Sequence, residues 1–285
     1  MSVSIIINAD DLGKSHLVNK AISEALSLRV ITSSTIMANS STWEEVHAIV
    51  DENPQASFGV HLNLTEGKAL TDSMVFRQMN IVDNENRFTK KIRNLKNYTP
   101  ELLKAVYEEW DAQINKVINI EKIPVTHFDG HHHIHREYVF RNVLVSLCEK
   151  YHIHKVRNRY TSPLNGFKNV VNVNLGIISL IPGILSLSRS LSGFGEAFSF
   201  IYSTMESDNW RRQIKRKACV TDYFNAYESE CMQLERGRHQ LKDCTIELMC
   251  HPGHPNYIKE YELIKAHTIE KCCANCKLIS YKELK

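Results

Sequence analysis

Ile6-Ile7-Asn8-Ala9-Asp10-Asp11-Leu12-Gly13 is an apolar run that ends in paired carboxylates and a glycine. Val3 to Ile7 has the length and branched side chains of a buried strand. Leu17, Val18, Ala21, Ile22, Ala25 and Leu26 then recur at helical spacing behind Ser15, a cap residue. This strand-to-helix step leaves Asp10 and Asp11 at the carboxyl end of the strand, and the same step recurs along the chain.

Ser34 to Met37 reads as a second strand. Thr42-Trp43-Glu44-Glu45 has the form of a capping box opening a helix through Val46, Ile49 and Val50, which Asn53-Pro54 closes. Phe58 to Leu64 alternates, with Val60, Leu62 and Leu64 on one side and Gly59, His61 and Asn63 on the other, so His61 faces away from the more apolar side. Thr65 to Asn97 lacks a sustained period and reads as a long loop over one face. Thr99-Pro100 caps a helix through Leu103, Val106, Trp110, Ile114 and Val117. Pro124 to Asp129 is a strand, Tyr138 to Tyr151 an amphipathic helix with Val139, Val143 and Leu147 on one stripe, and Lys155 to Arg157 a short strand. Residues 160 to 200 are rich in loops and glycine, Trp210 to Leu234 reads as mainly helical, and Ile246 to Met249 restores a strand. The repeated order implies a parallel sheet, either closed as a distorted barrel or open and doubly wound, and in both cases chemistry gathers at the carboxyl ends of strands.

A chain of 285 residues is long for one domain, yet α/β barrels of about 250 residues fold as one unit, and residues 1–285 are read as a single domain with a less regular region about 160–240. The 43% hydrophobic and 24% charged content supports a sizeable core. Lysine and arginine number 35 against 32 acidic residues, too even a balance for a nucleic-acid groove. Val170 to Leu191 is interrupted by Asn172, Asn174, Pro182 and Arg189, and Val3 to Ile7 lacks a basic leader, so neither a membrane span nor a signal peptide is expected. Eight cysteines in that setting imply reduced thiols and a cytoplasmic protein. Cys273-Ala-Asn-Cys276 has the spacing of half a zinc clamp but no matching second pair, and Cys250 reads as a small core residue. A homodimer is admitted as an assembly.

Asp10, Asp11, His61, Asp129, His131 and His251 all fall at predicted strand ends. Carboxylates and imidazoles together suit a hard or borderline divalent cation, and a carboxylate beside a ligating one is placed to act as a base. Asp10-Asp11 also admits a simpler reading, a turn in which one aspartate caps the next helix. In Asp129-Gly-His131-His132-His133-Ile-His135, extended backbone would set Asp129, His131, His133 and His135 on one face, where one or two could meet an ion. A histidine-rich surface loop is the other reading. Asp129 could instead orient an imidazole from behind. His251, in Glu247-Leu-Met-Cys-His-Pro-Gly253, follows a strand and precedes a forced turn, which suits a general acid; His254 is the second choice.

Asn8-Ala-Asp-Asp-Leu-Gly13, Gly59-Val-His-Leu-Asn-Leu-Thr65, Thr126-His-Phe-Asp-Gly-His-His-His-Ile-His135 and Glu247-Leu-Met-Cys-His-Pro252 together resemble the YdjC-like carbohydrate deacetylases, the ChbG family of chitooligosaccharide deacetylases. The resemblance implies a distorted (β/α) barrel like that of polysaccharide deacetylases. It implies a divalent ion, magnesium or zinc, held by Asp11, His61 and His131, with Asp10 as base and His251 as acid. The expected substrate is an N-acetylated amino sugar or short oligosaccharide, whose hydroxyls Arg157 or aromatic residues of the 65–97 loop would position. Two rivals stand beside this reading. A phosphoesterase would use a second ion about 3.5 to 4 Å from the first, and a sugar-binding protein without turnover would have no use for Asp10.

Overall fold

The computed structural model describes residues 3–159, 209–236, 241, 243–273 and 276–285. Among the described residues, seven parallel strands form the sheet: β1 (Val3–Leu12), β2 (Ser33–Ile36), β3 (Ser57–Leu62), β4 (Val125–Gly130), β5 (Tyr223–Ala226), β6 (Thr245–Cys250) and β7 (Cys276–Leu278). Their order is β4-β3-β2-β1-β6-β5, with β7 pairing Val3–Ile5 at the start of β1. Single parallel bridges from Phe128 to Val156 and from Lys155 to Cys219 carry the sheet past β4 toward the residues that lead into β5. The architecture is the distorted (β/α) barrel, and the open, doubly wound alternative is set aside.

Helices among the described residues include α1 (His16–Ser27), α2 (Trp43–Glu52), α3 (Met74–Gln78), α4 (Pro100–Asn115), α5 (Arg141–Tyr151), α6 (Tyr227–Glu235), α7 (Ile258–Lys265) and α8 (Thr268–Cys272). Ser15 accepts from Val18 N and Thr99 from Leu102 N, as cap residues do. Thr42 makes no such bond to α2. Its hydroxyl instead meets Gly13 O and Asn19 Nδ2, because buried Asn19 needs partners and draws Thr42 and Glu45 into its own hydrogen bonds.

Strand alternation sorts the two faces. Ile5, Ile7, Ala9, Phe58, Val60, Phe128, Ile246 and Leu248 point outward and join the helices in one apolar core with Trp110 and Trp210. The opposite parity turns Asn8, Asp10, Thr35, His61, His127, Asp129 and Glu247 inward, and all are buried. The inward direction of His61 is therefore that of a polar barrel interior.

Three other expectations change. Residues 65–97 form a compact excursion with its own buried side chains, Phe76, Ile81, Phe88 and Ile92, two antiparallel bridges and α3. Aperiodic apolar residues converge there, and buried Glu109 of α4 anchors the excursion by accepting from Leu70 N, Thr71 N and the Thr71 hydroxyl. Trp210 to Leu234 is interrupted by β5, whose four residues complete the sheet beside β6. Lys155 to Arg157 makes single bridges only. The Val170–Leu191 stretch and the glycines of 160–200 lie outside the described residues; among those described, no helix is long and apolar enough to cross a membrane.

Candidate active site

Adjacent residues of a strand normally face opposite ways, yet Asp10 and Asp11 open on one cleft. A shift in the β1–β2 register between Ala9 and Leu12, with Asp11 at φ 72°, turns the second carboxylate back to the side of the first. Gly13, at φ 90°, then leads into α1.

Asp11 Oδ1 lies 2.9 Å from His131 Nδ1 and 3.3 Å from His61 Nε2. It is buried, and neither contact has hydrogen-bond geometry. These three ligand atoms lie within 4.8 Å of one another. Behind them, His61 Nδ1 is 2.7 Å from Asp129 Oδ1, so Asp129 orients this imidazole, while Thr35 donates to the other Asp129 oxygen. His131 Nε2 meets Glu66 Oε2 at 2.8 Å, and Lys14 Nζ bridges Glu66 and Asp11. His131 and Lys14 hold the Glu66 carboxyl down to about 2. An oxygen and two ring nitrogens converge without satisfying one another, and each imidazole is backed by a carboxylate. This donor set fits a divalent cation of the zinc or magnesium kind.

Asp10 is held differently. Arg157 donates to both of its oxygens, Nη1 to Oδ2 at 2.7 Å and Nη2 to Oδ1 at 2.6 Å, and Asn8 Nδ2 adds a third bond at 2.9 Å. Burial pushes the Asp10 carboxyl up, but Arg157 outweighs it and holds the group below the usual carboxylate range. His251 Nε2 stands 3.9 Å from Asp10 Oδ2. Its ring stacks on Tyr257, and its backbone N–H donates to Glu260. Burial pushes this imidazole down; Glu260 and Asp10 outweigh that and raise it above the ordinary histidine value. Asp10, Asp11, His61, His131 and His251 all line one cleft of about 370 Å³.

The structure thus brings all five candidate residues together, and corrects the geometry of their neighbours. Strand β4 ends at Gly130, and His132 and His133 take left-handed backbone (φ 51° and 59°), so the histidine run is coiled and shares no single face. His131 alone meets Asp11; His132 contacts the Thr65 hydroxyl, His133 packs on Phe224, and His135 is buried beside Trp210. Arg157 is fully buried between Asp10, Asp129 and Glu247, where it cannot reach a sugar hydroxyl. His254 lines the cleft, but its ring accepts from Asn256 N. Cys250 is a core residue, and Cys273 and Cys276 gather no further ligand among the described residues. Lys14, Glu66 and Glu260 carry no motif in the sequence. Glu247 and Asn8 did carry a signal, the inward parity they share with Asp10.

The family model of YdjC-like proteins matches residues 4–275. A carbohydrate deacetylase of Halalkalibacterium halodurans is 32% identical over 284 residues, covering 92% of this chain and 95% of the relative. Carbohydrate deacetylases of Brevibacillus brevis and Clostridium beijerinckii are 31% and 33% identical, but the chain spans only 58% of the length of each. A solved structure from Enterococcus faecalis, whose name provisionally gives it cellobiose-phosphate cleavage, superposes with a TM-score of 0.69 at 22% identity, covering 99% of this chain and 98% of that one. With the strand order, the buried acid-histidine cluster and these matches in hand, the chain belongs to the YdjC-like family.

Proposed function

We propose that this chain is a metal-dependent hydrolase that removes N-acetyl groups from acetylated amino sugars or short, chitooligosaccharide-like oligosaccharides. The observation that carries the reading is the convergence of Asp11, His61 and His131 beside a separately held Asp10 and a raised His251 in one cleft. The names of the relatives, carbohydrate deacetylases, support the sugar substrate.

Asp11 Oδ1, His61 Nε2 and His131 Nδ1 would hold the ion, magnesium or zinc, which supplies Lewis acidity toward the amide carbonyl and the attacking water. Asp10 takes the proton of that water. Arg157 lowers the basicity of this carboxylate but keeps it ionised and fixed in orientation across the neutral range, which favours a base that must always be ready. His251, protonated through Glu260 and Asp10, donates to the leaving amine, and acetate and a free amine result. The reaction belongs in the cytoplasm, with neither nucleic acid nor membrane as partner, in a monomer or homodimer. A second ion between Asp10 and Asp129, as a two-ion phosphoesterase could use, fits less well, because the Arg157 guanidinium already pairs with both carboxylates; Glu66, His131 and His132 form the other neighbouring acid-histidine group.

The test is acetate release from N-acetylated mono- and oligosaccharides by chelated and metal-restored protein. Metal-restored protein should release acetate, and Asp10→Asn should lower the rate by about 100-fold or more while zinc affinity stays. Absence of release with every metal and sugar tried would remove the reading.

A further inference from the structure

After β7 the chain turns under the barrel. Ile279 N donates to Ile5 O, Tyr281 N donates to Ser57 Oγ at 2.8 Å, and the Tyr281 ring enters the interior from the amino-terminal end of the strands. It is fully buried and packs with Ile6, Ile279 and Leu284, apart from the main apolar core.

Two lines of contact run from this side chain to Asp10. The Tyr281 hydroxyl donates to Glu247 Oε2, Glu247 Oε1 accepts from Arg157 Nε at 2.7 Å, and the two Nη groups of Arg157 grip Asp10. The Tyr281 ring stacks on His127, with centroids 3.7 Å apart and planes within 11°. His127 Nε2 lies 3.3 Å from Asn8 Oδ1, and Asn8 Nδ2 donates to Asp10 Oδ1. Asn8 must present its amide N–H groups to the Asp10 carboxylate and Thr35, so its oxygen accepts. That assigns a proton to His127 Nε2. Gly59 leaves the room the ring occupies: a Cβ there would lie 2.7 Å from His127.

We propose that Tyr281 is a positioning residue for Asp10, acting through Glu247 and Arg157 by its hydroxyl and through His127 and Asn8 by its ring. Its kinetic consequence rests on the deacetylase reading; its geometry does not. The three donors that orient Asp10 all come from these two lines, so loosening Tyr281 lets the carboxylate turn away from the cleft.

Tyr281→Phe removes the first line and Tyr281→Leu both. Tyr227→Phe is the control, since that buried hydroxyl meets Ile269 N in the outer core. Tyr281→Phe should lower kcat about tenfold and Tyr281→Leu about 100-fold, with KM within about twofold. The control should leave kcat unchanged; a merely structural role would lower the melting temperature of all three and spare kcat per folded molecule. The 13C carboxyl resonance of Asp10, assigned by its loss in Asp10→Asn, should shift in Tyr281→Phe and not in the control. Wild-type kcat in Tyr281→Phe with an unmoved Asp10 resonance would overturn the proposal. Should wild-type protein release no acetate, the deacetylase reading fails, and the Asp10 resonance still decides the positioning role. Should Tyr281→Leu fail to fold, Tyr281→Phe carries both measurements.

Discussion

The outer face of the barrel is held by packing and the inner face by pairing. Outward side chains such as Leu248 and Ile246 meet many apolar neighbours, any of which can adjust slightly. Inward side chains such as Arg157 and Asp129 meet a few partners of opposite charge, none of which can be replaced by water. The outer face should therefore read volume and tolerate shape, whereas the inner face should read charge and tolerate almost nothing.

The largest break is expected inside. Arg157→Met leaves Asp10, Asp129 and Glu247 buried without their shared cation and should cost about 3 to 5 kcal/mol or prevent folding; urea unfolding of the purified variant, or its loss from the soluble fraction, measures this. Outside, Leu248→Ala should cost about 2 to 4 kcal/mol through a cavity, while Leu248→Met should stay below about 1.5 kcal/mol. Equal losses for the two Leu248 variants would contradict the volume rule.

Acidity sharpens the comparison, since the inner face buries titratable groups whose charge depends on their partners. In metal-free protein burial pushes His61 down, but Asp129 and Asp11 outweigh this and raise the imidazole to about 10. A folded value above the unfolded one, about 6.5, gives stability that is fully present below that unfolded value and lost as pH rises through about 10. Chelated protein should accordingly unfold at lower denaturant as the buffer goes from pH 7 to pH 10, more steeply than His61→Asn. Zinc loading at pH 7 should release protons, because a ligating imidazole must be neutral; calorimetry in buffers of different ionisation enthalpy would reveal a null result. The smallest effect belongs to the outer rim, where Thr99→Ala should cost about 1 kcal/mol by uncapping α4, seen as a small midpoint shift with activity intact.

Much of this arrangement is legible in the sequence. Period-two alternation turned His61 to the interior, and strand ends gathered Asp10, Asp11, His131 and His251, because both signals are local. The coiling of His131 to His135 was not, since nothing in three consecutive histidines announces left-handed backbone. Arg157 reads in the sequence only as a candidate sugar contact, because its grip on Asp10 spans 147 residues. Tyr281 reaches the site through Glu247 from a segment with no motif. The apolar residues of 65–97 lack a period because they gather irregularly around α3 onto the main core and serve no regular face.

The left-handed turn at Asp11 has one more effect. Because one strand delivers both carboxylates from neighbouring residues, covalent geometry governs their separation, while His61 and His131 arrive on β3 and just past β4. Any breathing of the barrel therefore stretches the distances between acids and imidazoles while the two acids travel together. A cation clamped across that seam would add a cross-link between strands that the intervening β2 already joins through its backbone ladder and the Thr35 hydroxyl.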